Sequence, residues 1–195
     1  TNQLGKIRSY TYDAVGNQTQ IKDRNDRIRK FNYDKLDRNT SETWIDGNNN
    51  SVRAIDYQYD AVGQLSSVLD PNSKYTYTYD AAGRNTSVDN TGTVGVPNVK
   101  FDYNYDAVNN LVQTKDAING QNKGVTNYVY DALNRTTQIN QTGSGVVDKR
   151  VDLAYDAASQ MSLMTRYQNL TGSNQVAKSD YQYDAVGRLT GLKHS

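Results

Sequence analysis

Residues 77–86 have the sequence Tyr-Thr-Tyr-Asp-Ala-Ala-Gly-Arg-Asn-Thr, and this stretch decides the fold. Because side chains alternate along a β-strand, Tyr77 and Tyr79 share one face and Thr78 lies on the other. Asp80 and Gly83 follow at the spacing of a tight turn, in which Asp accepts backbone N–H groups and Gly adopts a positive φ. The stretch therefore predicts a β-hairpin with a three-residue loop.

The Tyr-Asp pair of this hairpin recurs eight times along the chain, at intervals of 20–28 residues. The pairs are Tyr12-Asp13, Tyr33-Asp34, Tyr59-Asp60, Tyr79-Asp80, Tyr105-Asp106, Tyr130-Asp131, Tyr155-Asp156 and Tyr183-Asp184. A variable interval indicates a fixed structural unit with a connection of variable length, which is typical of tandem repeats. We call the eight tyrosines of these pairs the ladder tyrosines and the eight aspartates the turn aspartates.

The positions around each Tyr-Asp pair follow the same pattern. Two residues before each ladder tyrosine is an aromatic or apolar residue, which is Tyr in six repeats, Phe31 in one and Leu153 in another. The predicted positive-φ site holds Gly16, Asp37, Gly63, Gly83, Asn109, Asn134, Ser159 and Gly187. Since eight aspartates in one context favour architecture over catalysis, we interpret them, with Gly16, Gly63, Gly83 and Gly187, as turn-forming residues.

The chain is therefore predicted to be all-β, with eight hairpins in one domain, residues 1–195, that is part of a longer chain. An isolated hairpin is marginally stable, so the hairpins are expected to pair edge to edge and to cover the ladder tyrosines between them. Exposure of some rings for stacking on sugars is the alternative. Clusters of Gly, Asn and Ser, among them residues 119–124 and 141–145, predict loops between repeats.

Composition excludes several functional classes. The chain has no Cys, and its only histidine is His194, so we expect no catalytic triad, no metal site and no cofactor. A net charge of +1 without a basic block argues against nucleic-acid binding, and no apolar run is long enough for membrane insertion. Residues 46–50 weakly resemble a calcium loop but are better interpreted as a polar loop, and residues 23–27 as a charged loop.

Residues 77–86 and 181–190 closely resemble the YD repeat of RHS proteins. That family includes bacterial polymorphic toxins, wall-associated inhibitors, shell components of insecticidal toxin complexes and the YD barrel of teneurins. The resemblance implies a continuous curved or spiral antiparallel sheet, forming a section of a hollow β-shell. It also implies a secreted or cell-surface bacterial protein whose shell encloses or presents a C-terminal toxin or effector domain.

We therefore expect a structural scaffold rather than an enzyme, with flanking repeats and a cargo domain of the same chain as partners. The alternative is an adhesin-like module that binds carbohydrate or a target-cell surface. Trp44 and Tyr167 lie outside the ladder and are the candidates for glycan contact. Unpaired edge strands, near residues 4–12 and 188–192, predict end-to-end association between copies.

Overall fold

A computed structural model describes residues 5–195, and within them every regular element is a β-strand. The predicted all-β fold of tandem antiparallel hairpins is confirmed. The sixteen strands divide into two compact units, with the division between Asn98 and Val99. Leu4, which was placed in the first edge strand, lies outside the described residues.

The first unit contains eight strands, each hydrogen-bonded antiparallel to the next in chain order. They are β1 (Ser9–Tyr12), β2 (Gln18–Lys22), β3 (Ile28–Tyr33), β4 (Asn39–Ile45), β5 (Ser51–Tyr59), β6 (Leu65–Asp70), β7 (Ser73–Tyr79) and β8 (Asn85–Asp89). Each odd-numbered strand ends on a ladder tyrosine, and the next even-numbered strand is its return strand.

The second unit repeats this arrangement with eight further strands in chain order. They are β9 (Val99–Tyr105), β10 (Leu111–Ile118), β11 (Gln121–Tyr130), β12 (Thr136–Gly143), β13 (Val146–Tyr155), β14 (Met161–Tyr167), β15 (Gln175–Tyr183) and β16 (Leu189–His194). The expected loops at 119–124 and 141–145 are wrong, because strands occupy most of both segments. Only Asn119 and Gly120 separate β10 from β11, and both have a positive φ, as in a type I′ hairpin turn.

Every ladder hairpin contains a β-bulge at the same place. The register between its two strands shifts by one residue next to the ladder tyrosine, which leaves one return-strand residue without a cross-strand partner. These residues are Thr19, Thr40, Ser66, Thr86, Val112, Thr137, Ser162 and Thr190. A bulge increases local twist and interrupts the ladder, so it leaves a backbone group available for other contacts.

Each unit is a single sheet without a buried apolar core. Among residues 5–195 no large apolar side chain is fully buried, and the buried polar residues include Ser67, Ser87, Thr165 and Ser179. The two faces nevertheless differ, since Tyr57 and Tyr59 are half-buried and Gln58 between them is exposed. Residues 5–195 contain no helix long and apolar enough to cross a bilayer.

Candidate functional site

The turn that joins each pair of strands is built by the side chain of its aspartate. In the fourth repeat, Oδ1 of Asp80 accepts the backbone N–H groups of Ala82 and Arg84, at 2.9 and 3.0 Å. Oδ2 accepts Nε–H of Arg84 at 2.7 Å, and the N–H of Gly83 donates to the Asp80 carbonyl at 3.0 Å. This is a type I turn followed by a left-handed residue, which matches the right-handed twist of the strands.

The backbone N–H bonds of this turn form in all eight repeats. Each turn aspartate accepts two backbone N–H groups on one carboxylate oxygen. The eight left-handed sites have a positive φ, including the non-glycine residues Asp37, Asn109, Asn134 and Ser159. Side-chain hydrogen bonds from Arg38, Arg84 and Arg135 are the main cause that lowers the pKa of Asp34, Asp80 and Asp131.

Two turns between repeats are held by the same aspartate hydrogen bonds. Their sequences were interpreted only as a charged loop and a polar loop. Oδ1 of Asp23 accepts the N–H groups of Asn25 and Arg27, and Oδ1 of Asp46 accepts those of Asn48 and Asn50. The sequence signal was present, because both segments place Asp three residues before an Asp or Asn that can adopt a positive φ. Asp26 and Asn49 occupy those left-handed sites.

The ladder tyrosines join each repeat to the one before it. The hydroxyl of Tyr79 donates to the backbone carbonyl of Leu65 at 2.8 Å, and that of Tyr155 to the carbonyl of Thr136 at 2.8 Å. The equivalent bonds run from Tyr33 to Gln18, Tyr59 to Asn39, Tyr130 to Leu111 and Tyr183 to Met161, at 2.7–3.0 Å. Each acceptor residue lies immediately before a bulged residue and opposite the preceding ladder tyrosine, where the interrupted ladder leaves a carbonyl accessible.

The hydroxyl contact was missed by the sequence interpretation, which considered only packing and stacking of the rings. The signal lay in the difference between two positions. The ladder position is Tyr in all eight repeats, whereas the position two residues earlier accepts Phe31 and Leu153. A requirement for packing alone would be met by Phe at both positions, so the invariant hydroxyl pointed to a hydrogen bond.

In six repeats the residue after the left-handed site reaches the turn of the following repeat. Nδ2 of Asn17 donates to Oδ1 of Asp37 at 2.8 Å, and Nη1 of Arg135 donates to Oγ of Ser159 at 3.0 Å. The guanidinium of Arg135 also lies 4.6 Å from the ring centre of Tyr155. Tyrosines, turns and reaching side chains thus form one recurring interface between consecutive repeats.

Each unit has a row of apolar side chains that project from the tips of its turns. Val15, Leu36, Val62, Val108, Leu133 and Val186 occupy the same turn position and are 61–81% exposed. The turn itself does not require these residues, because type I turns accept most residue types at this position. Each row is therefore a candidate contact surface.

Trp44 lies on β4 within a cluster of charged side chains. Its Nε1 donates to Oε1 of Glu42 at 2.6 Å, and the guanidinium of Arg53 lies 5.3 Å from its ring centre. Arg53 is also ion-paired with Asp70, and this hydrogen bond is the main cause that lowers the pKa of Asp70 to about 2. Trp44 is 36% exposed and borders a groove of about 340 Å³ that Arg8, Ile21, Asp23 and Val52 also line.

Tyr167, the other candidate for glycan contact, is half-buried at the end of β14. The guanidinium of Arg150 lies 5.5 Å from its ring centre. Arg150 is held by both carboxylate oxygens of Asp152, at 2.7 and 2.8 Å, and donates to the carbonyl of Leu170 at 3.1 Å. Tyr167 thus offers less free ring surface than Trp44.

Potential metal ligands do not converge in the part of the chain that the structure describes, where no three His, Asp or Glu side chains are placed to share an ion. Nδ1 of His194 forms a hydrogen bond of 2.9 Å with Oγ of Ser179. In residues 46–50, which were interpreted as a polar loop rather than a calcium loop, Oδ1 of Asp46 accepts two turn N–H groups.

Residues 59–94, which contain two of the Tyr-Asp pairs, match the RHS Repeat family. This segment is similar to an RHS repeat. The other ladder hairpins share its turn bonds and its bulge, and the predicted resemblance to YD-repeat proteins is confirmed. No curated protein sequence matches the chain.

Solved structures with the same fold come from toxin complexes. The Photorhabdus luminescens Tc holotoxin pore superposes with a TM-score of 0.53 over 91% of this chain, at 16% identity. A TcdB2-TccC3-Cdc42 complex gives 0.54 over 97%, and TcdB2-TccC3 without its hypervariable C-terminal region gives 0.50 over 97%, both at 16% identity. The chain spans about 12% of the length of each of those chains. At this identity the likeness concerns the fold alone.

Proposed function

We propose that this chain is a segment of the wall of an RHS-type β-shell, with a structural role and no catalytic one. The observation that carries the proposal is the bond from a ladder tyrosine to the preceding repeat, present at six junctions between repeats. A contact that depends only on the neighbouring repeat can extend to any number of repeats, as in other solenoid architectures.

The chemistry of the polar side chains supports the same role. The turn carboxylates are occupied by N–H donors, and Arg38, Arg84, Arg135 and Arg188 bind the turn aspartate of their own repeat. These groups build and connect hairpins. The apolar rows at the turn tips support a wall as well, because they suit packing against a neighbouring segment of the same shell.

The finer part of the proposal concerns the parent protein. A toxin pore shares this fold, and so does a TcdB2-TccC3 complex that was solved without its hypervariable C-terminal region. We therefore propose that flanking repeats complete the shell and that it encloses or presents a C-terminal effector domain of the same polypeptide. The protein would be secreted or displayed at a bacterial cell surface, without binding nucleic acid or inserting into a membrane.

Limited proteolysis of the polypeptide that contains this array and its downstream domain tests the wall function. The downstream domain should resist trypsin when the array is intact and become cleavable when Tyr59→Ala and Tyr155→Ala together loosen two junctions. Val94→Ala and Val147→Ala, at side chains that are 86% and 67% exposed and lie outside the turn-tip rows, are the matched control and should leave the protection unchanged. Equal cleavage of the downstream domain in all three proteins would contradict the wall function.

Carbohydrate binding is a second candidate, favoured by the exposed ring of Trp44 beside a groove with both acidic and basic side chains. Sugars stack on aromatic rings and take hydrogen bonds from such groups. Binding on a glycan array should then be lost in Trp44→Ala and kept in Phe101→Ala, whose ring is 40% exposed. Absence of binding, or equal binding by both variants, would eliminate this candidate.

A further inference from the structure

The exposed ring of Trp44 lies on the face of the first unit that carries the ladder tyrosines. Arg29 of β3 pairs with Trp44 of β4, and Trp44 pairs with Arg53 of β5, so the three side chains form one cross-strand row. The guanidinium of Arg53 lies 5.3 Å from the Trp44 ring centre, and Arg53 is not among the residues that line the groove. The groove therefore adjoins the ring on the side of Arg29.

Two turns between repeats contribute to the lining of this groove. Asp23 and Arg27 line it from the turn that joins β2 to β3, and Asp46 lines it from the turn that joins β4 to β5. The two turns lie against each other, because a Cβ added to Gly47 would be 3.6 Å from the carbonyl oxygen of Asn25. The aspartate hydrogen bonds that hold each turn therefore also hold the lining of the groove in place.

The carboxylates at the groove are already occupied by N–H donors of their own turns. Oδ1 of Asp23 accepts two backbone N–H groups, and its Oδ2 accepts the guanidinium of Arg27 at 2.7 Å. Oδ1 of Asp46 likewise accepts two backbone N–H groups, and its Oδ2 accepts Nδ2 of Asn50 at 3.3 Å. These side chains therefore have little capacity left to accept the hydroxyl protons of a neutral sugar.

Two of the arginines that line the groove retain free N–H donors. The side chain of Arg29 is 48% exposed, and its one hydrogen bond within residues 5–195 runs from Nη1 to Glu42, at 3.5 Å. Arg27 is 65% exposed and binds Asp23 through Nε and Nη2, which leaves its Nη1 free in the described part of the chain. A guanidinium binds an oxyanion such as a carboxylate through two parallel N–H bonds. The free donors therefore favour a ligand with an anionic group.

We propose that this groove binds an acidic saccharide, whose ring stacks on Trp44 and whose anionic group accepts N–H groups of Arg29 and Arg27. This assignment rests on the proposed carbohydrate binding at the same groove and adds the charge of the ligand. A sugar ring has apolar C–H faces that suit an aromatic ring, and an anionic substituent at its rim suits a neighbouring guanidinium. The volume of about 340 Å³ is at the lower end of the range for small-ligand sites.

Trp44 is the only tryptophan of the chain, so its fluorescence reports binding at this groove without a label. Titration of the unmodified chain with trigalacturonate should change the emission. The methyl ester of the same trisaccharide, which has the same rings without the charges, should bind about tenfold more weakly or worse, because the charged hydrogen bonds are lost. A sulfated galactose trisaccharide that binds as tightly as trigalacturonate would support the same anionic class and show that charge, rather than the carboxylate itself, is recognised.

Variants assign the preference to the groove. Arg29→Gln should abolish the preference for the acid over the ester, whereas Arg24→Gln, in the adjoining turn but outside the lining, makes the same change of charge and should keep it. Equal affinity for acid and ester would overturn the acidic assignment and leave carbohydrate binding standing, while no binding of any sugar would overturn both. Equal loss in the two variants, or triglutamate binding as tightly as trigalacturonate, would also overturn the acidic assignment.

Discussion

At the residue scale, the ladder tyrosine is the side chain on which the repeat depends. Its ring lies on the half-buried face of the sheet, and its hydroxyl satisfies a carbonyl of the preceding return strand. The sequence pattern predicted the strand and the face from alternation alone. It did not predict the hydroxyl bond, because the acceptor is a backbone atom of another repeat and the bulge that exposes it has no residue signature.

Tyr79→Phe tests how much that hydroxyl contributes to the free energy of unfolding. The substitution leaves the Leu65 carbonyl without its donor, so the free energy of unfolding should fall by about 1 kcal/mol. Tyr77→Phe, on the same face of β7, is the control and should change stability by much less. Urea denaturation of both variants gives the comparison, and equal losses would show that the hydroxyl contributes nothing specific.

Asp70 should make stability sensitive to acid. In the folded protein, the hydrogen bond from Arg53 lowers the pKa of the Asp70 carboxyl from 3.8 to about 2. The carboxyl therefore binds a proton more readily in the unfolded state. The stabilisation is complete above pH 3.8 and is lost as the pH falls through about 2. Urea unfolding at successive pH values should give a shallower acid dependence for Asp70→Asn than for the unmodified protein. Parallel curves would contradict the coupling.

At the element scale, the turns were the elements that the sequence predicted most completely. Asp at the first position and Gly, Asn or Asp three residues later predicted the ladder turns, and the same rule extends to Asp23 and Asp46. The loops predicted at 119–124 and 141–145 were wrong for a physical reason. Gly and Asn there permit two-residue turns, while the polar residues beside them continue the strands by pairing their backbones.

The left-handed turn site gives reciprocal substitutions. Gly83→Ser places a side chain at φ 80°, which costs about 1 kcal/mol, and its Cβ also meets Nε2 of Gln64 at 3.0 Å. Asn49→Gly relieves the same strain at φ 67° and should raise the thermal midpoint. Gly16→Ser, at a site where an added Cβ would have no neighbour within 4 Å, measures the cost of the positive φ without the cost of crowding. Destabilisation by Asn49→Gly would contradict this assignment.

The turn at Asp46 should be indifferent to calcium. Its Oδ1 accepts two backbone N–H groups, which a bound cation would have to displace. Asp46→Ala should lower the thermal midpoint, since those donors lose their acceptor. Adding calcium should leave the midpoint of the unmodified chain where it is. A calcium-dependent rise that Asp46→Ala abolishes would instead establish a cation site.

At the scale of the whole molecule, the repeat count and hairpin order followed from the spacing of the Tyr-Asp pairs, whereas the division at Asn98 did not. Residues 91–98 contain Gly and Asn, like other connections in the chain, and Pro also occurs in the connection between β6 and β7, so composition alone does not distinguish this one. Stability without a buried apolar core must come from strand pairing and from contacts between neighbouring repeats. A substitution that weakens one junction should therefore destabilise only the strands of the neighbouring repeats.

Hydrogen exchange of Tyr155→Ala tests this claim most directly. The substitution removes the ring covered by Arg135 and the bond to the Thr136 carbonyl. If repeats depend only on their neighbours, exchange should become about tenfold faster or more in β12, β13 and β14, with β1–β8 unchanged. A uniform acceleration across all sixteen strands would show a single all-or-none domain and would contradict the account.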